Sequence, residues 1–132
     1  MQRTIPVRVH MSSEPGLFLV LLLLPFVAGY SDVEAARNVS IAAAILVLVG
    51  TLLTDWPLSV ARVLPLRVHG LLDVLLGVLL IIAPFGLGFS DDSTLATVLD
   101  VLLGLGFIGA GLTTNWAGAH ERAAARRSPS VR

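Results

Sequence analysis

Two pairs of a histidine and an acidic residue are the residues of this chain whose types and spacing could do chemistry. His10 and Glu14 are four positions apart, and so are His69 and Asp73. Residues with this spacing share one face of a helix. Imidazole titrates near neutral pH, and a neighbouring carboxylate can fix its tautomer or neutralise a cation. If the two faces turn towards each other, the four side chains could hold a divalent metal ion or pass protons.

A structural interpretation of the same pairs also has to be considered. Histidine and acid close to a membrane surface can pair with each other, or with Arg8 or Arg67, and so orient their helices. No His-Glu-x-x-His spacing points to a hydrolytic metal centre. The chain also has no cysteine, which excludes disulfides, thiolate metal sites and iron–sulfur clusters. The sequence therefore leaves the metal unknown, and no resident cofactor is predicted.

The two pairs belong to an internal duplication of about sixty residues. Pro6-Val-Arg-Val-His10 returns as Pro65-Leu-Arg-Val-His69, 59 positions later. With one inserted residue, Thr54-Asp55-Trp56 falls on Thr114-Asn115-Trp116. Repeats of this kind indicate one structural unit used twice. We place repeat 1 at about 6–56 and repeat 2 at about 65–116 within a single domain, 1–132, with a basic tail at 117–132.

Asp100 is a further candidate, because it is an acid within an otherwise apolar stretch; its repeat-related residue is Ser40. An acid inside a membrane-spanning helix suggests a functional site, although a hydrogen bond to a neighbouring helix would also explain it. The candidate polar, proton or ligand site is thus His10, Glu14, His69, Asp73 and Asp100. No catalytic residue is predicted. Phosphate loops, nucleophile elbows and basic aromatic patches for nucleic acid are all missing from the sequence.

Composition identifies the elements that must position these residues as membrane helices. Apolar residues make up 55% of the chain and charged residues only 14%, against about a quarter charged in soluble domains. Four stretches of at least 17 residues carry no charge, and a membrane-spanning helix needs roughly 20 apolar residues. We expect helices at about Val7 to Gly29, Glu34 to Thr54, Leu66 to Gly88 and Ser93 to Trp116, embedded in a lipid bilayer.

Eight of the nine arginines lie before or at the start of the first helix, between the second and third helices or at the start of the third, or after the fourth; Arg37 is the exception. Positive charge stays on the cytoplasmic side of a membrane. The distribution predicts a multi-pass protein of the cell inner (plasma) membrane with both termini in the cytoplasm. Trp56 and Trp116 are predicted to be anchors at the inner membrane interface, because tryptophan concentrates there.

The outer turns have their own signals. Pro25 and Pro84 weaken the ends of the first and third helices, and Gly29 and Gly88 can take the left-handed conformation that ends a helix. Ser31 and Glu34 have the spacing of a capping box for the second helix. Ser93 and the two aspartates before it offer side-chain oxygens that could cap the fourth.

The segments Leu24-Pro25-Phe26 and Ala83-Pro84-Phe85, late in the first helix of each hairpin, resemble the signature of the SPW-repeat family of small membrane proteins. That family pairs two transmembrane helices per repeat and has a Ser-Pro-Trp signature, of which only proline is kept here. The resemblance implies an all-α, four-helix transmembrane bundle built from two tandem helical hairpins. It implies no activity and transfers no catalytic residue.

Our leading hypothesis is a non-enzymatic membrane protein with a structural, scaffolding or partner-binding role, either as a homo-oligomer or with another membrane protein. Two alternatives remain open. One is a small transporter or proton-coupled permeation unit that uses the five polar candidates. The other is a cofactor-binding membrane subunit with His10 and His69 as ligands.

Overall fold

The structure is a computed structural model that describes residues 3–117. Within this range the chain forms four long helices: α1, Val7–Val27; α2, Glu34–Leu53; α3, Leu66–Gly86; and α4, Thr94–Thr113. Two short strands, β1 (Ile5–Pro6) and β2 (Thr114–Asn115), flank them. Each helix is 20 or 21 residues long and apolar enough to cross a membrane. The predicted fold class is confirmed; all of the basic tail except Ala117 lies outside the described residues.

The helices end slightly earlier than predicted. Gly29 and Gly88, which we placed in the helices, follow them in the left-handed conformation with φ of +81° and +80°. This conformation favours glycine, so each glycine makes the turn that leaves the helix. α4 ends at Thr113 rather than Trp116, because Thr114 and Asn115 leave the helix and pair with β1.

The starts of α2 and α4 differ in how they are capped. Ser93 Oγ accepts a hydrogen bond from the backbone N–H of Ala96 at 3.1 Å, as expected of an N-cap. At α2 the N-cap residue is Val33, which makes no side-chain cap bond. The capping box predicted from Ser31 is therefore wrong. This turn is held by a backbone bond between the N–H of Val33 and the carbonyl of Tyr30.

The two repeats exchange contacts at their ends. β1 pairs in parallel with β2, with Ile5 opposite Thr114. Leu64, which corresponds to Ile5 in the second repeat, forms a parallel bridge with Thr54, which corresponds to Thr114. The beginning of each repeat therefore lies against the end of the other. We call this end of the bundle the histidine end, and the opposite end, with the turns after α1 and α3, the tyrosine end.

Three apolar clusters fill the interior from one end to the other. The histidine end has Val7, Met11 and Trp116, and the tyrosine end has Tyr30, Ala36, Phe89 and Ala96. Between them lies a cluster that we call the middle cluster: Leu21, Ala43, Ala44, Val47, Leu80 and Phe107. The outward faces of the helices carry many exposed large apolar side chains, which suits contact with lipid.

Glycine allows α3 and α4 to approach closely. A Cβ added to Gly77 would lie 2.5 Å from the carbonyl oxygen of Gly104, and the converse distance is also 2.5 Å. Small residues at such crossings let helix backbones touch within a membrane. By contrast, a Cβ on Gly106 would meet nothing within 4 Å. A second close approach lies at Gly111, whose added Cβ would be 2.8 Å from the carbonyl oxygen of Gly70. The second hairpin therefore depends on Gly104 and Gly111, and not on every glycine of α4.

Candidate functional site

His10 and His69 reach the interior from the first turns of α1 and α3. Each helix starts directly after a proline with an extended backbone, Pro6 for α1 and Pro65 for α3. Each histidine is thus the fourth residue of its helix, and the acid follows one turn later on the same face. All four side chains are buried.

The structure brings the two predicted pairs together in one group, His10, Glu14, His69 and Asp73, which we call the histidine–acid cluster. His10 Nε2 lies 3.1 Å from Glu14 Oε1 and 3.0 Å from Asp73 Oδ2. His69 Nε2 lies 3.6 Å from Asp73 Oδ1 and 3.8 Å from Glu14 Oε1. One donor atom from each residue lies within 4.8 Å of the other three, so the group could hold a metal ion. Each imidazole contacts the acids of both repeats.

Two threonines hold the outer nitrogens of the imidazoles. Thr114 Oγ1 lies 3.1 Å from His10 Nδ1, and Thr54 Oγ1 lies 2.8 Å from His69 Nδ1. Each threonine belongs to the repeat opposite to that of its histidine. The threonines were not among the predicted site residues. The sequence feature that could have identified them is that Thr54 and Thr114 occupy equivalent positions in the two repeats, as the two histidines do.

The threonines determine which imidazole nitrogen carries the proton. Thr54 Oγ1 donates to the backbone carbonyl of Gly50 at 2.6 Å, and Thr114 Oγ1 to that of Ala110 at 2.7 Å. A carbonyl can only accept, and a hydroxyl has a single proton. Towards the histidine, each hydroxyl can therefore only accept, so Nδ1 must be the donor. A neutral imidazole held this way presents the lone pair of Nε2 to the cluster.

Trp116 covers both imidazole rings. Its ring centroid lies 4.7 Å from that of His10 and 5.7 Å from that of His69. The indole occupies the space above Gly70, where a Cβ would collide with it, and Nε1 donates to the carbonyl of Gly111 at 2.8 Å. Trp116 is only 4% exposed. It therefore packs inside the protein at the histidine end, and its role as an anchor at the inner membrane interface stays a prediction.

Trp56, the counterpart of Trp116, stays half-buried at the rim, where Nε1 donates to the carbonyl of Thr51 at 2.8 Å. The hydroxyl of Thr51 lies 3.1 Å from Glu14 Oε2 and 2.7 Å from the carbonyl of Val47. Thr51, which contacts Glu14, is a further residue of the site that was not predicted from the sequence. It is a contact of the first repeat alone, because the related position in the second is Gly111.

Asp100 is buried but lies outside the histidine–acid cluster. Fourteen positions separate it from Thr114, which corresponds to roughly 20 Å of helix. Neither carboxylate oxygen has a hydrogen-bond partner within residues 3–117. Its repeat-related residue, Ser40, shares a 3.0 Å hydrogen bond with the hydroxyl of Tyr30. Burial raises the pKa of the Tyr30 hydroxyl, which therefore remains a neutral phenol.

The predicted turn motifs shape the tyrosine end and contribute nothing to the histidine–acid cluster. Pro25 and Pro84 are buried near the ends of α1 and α3. The phenylalanines that follow them, Phe26 and Phe85, are exposed on the outside of the bundle.

Four helices, each long and apolar enough to cross a membrane, define a multi-pass membrane protein. The model of the SPW repeat domain matches residues 16–114 of the chain. The protein belongs to the SPW repeat family, and the resemblance seen in the two proline segments is confirmed. No curated protein and no solved structure matches the chain. Its function therefore has to be argued from the site.

Proposed function

We propose that this chain is a non-enzymatic structural protein of the cell inner (plasma) membrane, acting as a scaffold or partner-binding subunit. One observation carries the proposal. The apolar middle cluster fills the bundle between the histidine–acid cluster at one end and Asp100 towards the other.

A transporter would need a route for charge between these two polar regions. The middle cluster consists of aliphatic and aromatic side chains that are at most 4% exposed, and moving a charge through such surroundings is costly. The polar side chains of the histidine–acid cluster instead make contacts between the two repeats. This arrangement supports a structural role over the transport alternative.

The exposed apolar faces of the four helices are available to lipid, to a second copy of the chain or to another membrane protein. The excess of arginine near the histidine end supports an orientation with this end in the cytoplasm. Association through these faces would rest on close packing and not on charge.

Ion flux in liposomes tests the structural role against transport. The purified full chain is reconstituted, and proton uptake is followed with an entrapped pH-sensitive dye under an imposed membrane potential, with sodium and potassium flux measured in parallel. We expect the rates of protein-free liposomes. Flux above that background, abolished in Asp100→Asn or in His10→Ala/His69→Ala, would overturn the proposal in favour of a transporter.

Orientation is tested by thiol labelling, for which the cysteine-free chain is a natural background. Ser59→Cys places a thiol between α2 and α3, and Ser90→Cys places one between α3 and α4. In intact cells, an impermeant maleimide should label Ser90→Cys alone, and Ser59→Cys only after lysis. The reverse pattern would place the histidine end outside.

A further inference from the structure

The histidine–acid cluster brings four electron-pair donors to within 4.8 Å of one another. Because Nδ1 of each imidazole donates to a threonine, Nε2 of each neutral ring offers a lone pair, as do the carboxylates of Glu14 and Asp73. Facing lone pairs repel each other unless something positive lies between them. With neutral imidazoles, the four side chains carry a formal charge of −2, which matches a divalent cation.

The groups of the cluster approach one another closely without satisfying one another by hydrogen bonds. Although His10 Nε2 lies within 3.1 Å of two carboxylate oxygens, neither Nε2 atom makes a well-aligned hydrogen bond within the described residues, and Asp73 Oδ2 also has no hydrogen-bond partner there. Hydrogen bonds between neighbours would align donors along the lines that join them. Metal ligands instead direct their lone pairs towards a shared centre.

Distances agree with a four-coordinate site. In a tetrahedral zinc site with bonds of about 2.0–2.1 Å, neighbouring ligand atoms are roughly 3.3 Å apart. The four measured imidazole-to-carboxylate distances are 3.0, 3.1, 3.6 and 3.8 Å. They lie on both sides of the expected value, although the two Asp73 distances end at different oxygens, Oδ2 and Oδ1. Binding one ion would therefore require Asp73 to present one oxygen or a bidentate carboxylate, and would draw together four ligand atoms that already lie within 4.8 Å of one another.

The surroundings resemble the outer shell of a metal site. Metal-bound histidine usually donates its second ring N–H to an oxygen that fixes the ring orientation, and Thr54 and Thr114 accept in this way from the two imidazoles. Trp116 covers both rings and excludes water from that side. Two imidazoles with two carboxylates suit a first-row transition metal better than magnesium or calcium.

We infer that His10, Glu14, His69 and Asp73 bind one divalent transition-metal ion, such as Zn²⁺, that fastens the two repeats together. The ion takes two ligands from each repeat, so its binding energy acts across the interface between the hairpins. This goes beyond a structural role for the bundle. Metal content tests the inference and ion flux tests the proposed function, so that the failure of either is visible separately.

The experiment uses tag-free full-length protein in detergent, stripped with a chelator, dialysed against a series of Zn²⁺ concentrations and measured by elemental analysis. We expect about one zinc ion per chain at saturation and a rise in the melting temperature. His10→Ala/His69→Ala should lose the zinc. The near-isosteric Glu14→Gln separates ligand loss from misfolding, and should weaken binding in a chain that circular dichroism shows to be folded.

Two control variants test whether zinc binding depends on the histidine–acid cluster and not on other acidic or histidine residues. Asp100→Asn removes an equally buried acid elsewhere, and His120→Ala removes the histidine that lies outside the described residues; both should bind zinc like the unaltered chain. Thr54→Val/Thr114→Val should weaken affinity by about 10–100-fold. Zinc retained by His10→Ala/His69→Ala, or none bound by the unaltered chain, would overturn the inference; the second outcome would mean that protons alone balance the cluster.

Discussion

The two repeats follow one backbone plan, yet their hairpins are packed by different means. In the second repeat, Gly77 and Gly104 bring α3 and α4 into backbone contact. The related positions in the first repeat are Phe18 and Ala44, so side chains separate α1 from α2. The comparison shows that duplication preserved the directions of the helices while leaving the spacing within each hairpin free to change.

The histidine end shows the consequence of one such difference. Gly70 leaves room for the indole of Trp116 above the imidazoles, whereas the related residue of the first repeat is Met11, which is itself buried. Trp56 consequently stays at the rim, half-buried. The difference between Gly70 and Met11 at this one position thus accompanies the difference between the two tryptophans: Trp116 covers the histidine–acid cluster, and Trp56 does not.

The tyrosine end differs in polarity. The first repeat has Tyr30 and Ser40, which bond to each other, and the second has Phe89 and Asp100 at the related positions. In the first pair, the hydroxyls of Tyr30 and Ser40 form a hydrogen bond with each other. In the second pair, the buried carboxyl of Asp100 has no hydrogen-bond partner in the described range. The histidine–threonine contacts and the backbone pairings of Ile5 with Thr114 and Leu64 with Thr54, by contrast, are alike in both repeats, and they join one repeat to the other.

The largest effect is expected from installing the residue of the first repeat at the glycine crossing of the second. Gly104→Ala would place a Cβ 2.5 Å from the carbonyl oxygen of Gly77. Because backbone must move to relieve the clash, we expect a loss of about 3 kcal/mol in the free energy of unfolding. Titration with sodium dodecyl sulfate, followed by circular dichroism, measures the loss.

Gly106→Ala is the matched control, because the added Cβ meets nothing within 4 Å. The reverse exchange, Ala44→Gly, should lower stability by only about 0.5–1 kcal/mol. Equal effects of Gly104→Ala and Gly106→Ala would show that helix propensity, and not the crossing, explains the glycine.

A smaller and symmetric effect is expected at the threonines. Thr54→Val and Thr114→Val keep the side-chain shape but leave the Nδ1–H of a buried histidine without its acceptor. Each should lower the free energy of unfolding by about 2 kcal/mol, measured by the same titration. The serine variants keep the hydroxyl and should recover most of the loss. A large difference between the two valine variants would contradict the equivalence of the repeats at this end.

The smallest effects are expected at the tyrosine end. There, replacing a residue by its counterpart from the other repeat should change the free energy of unfolding in opposite directions at the two positions tested. Asp100→Ser removes a buried carboxyl without a partner, and should raise the free energy of unfolding by about 1 kcal/mol. Tyr30→Phe removes the bond to Ser40, and should lower it by about 1 kcal/mol. A loss of stability in Asp100→Ser would mean that the carboxyl makes a favourable contact in the folded chain.

Much of the fold follows from the sequence, because uncharged stretches of membrane length and a duplicated register are properties of the chain itself. The left-handed turns at Gly29 and Gly88 follow as well, since this backbone conformation strongly favours glycine. The capping box at Ser31 was a wrong prediction because its spacing occurs where the backbone already makes the turn.

The histidine–acid cluster could be predicted only in part. Spacing placed each acid on the face of its own histidine, but the convergence of the two faces depends on how the hairpins are rotated. The roles of Thr54 and Thr114 depend on the exchanged contacts between repeats. The inward position of Trp116 depends on Gly70, 46 positions away, and no local pattern reports such a distant fit.

The exchanged contacts have a consequence for how such a chain could arise. Each of them, Ile5 with Thr114 and Leu64 with Thr54, or His10 with Thr114 and His69 with Thr54, has the reciprocal form of a contact across a two-fold dimer. Two separate copies of one ancestral hairpin could have made all of them. In that case the loop between α2 and α3 is a later connection between the two subunits of a homodimer. The two halves, produced as separate polypeptides, should then still associate.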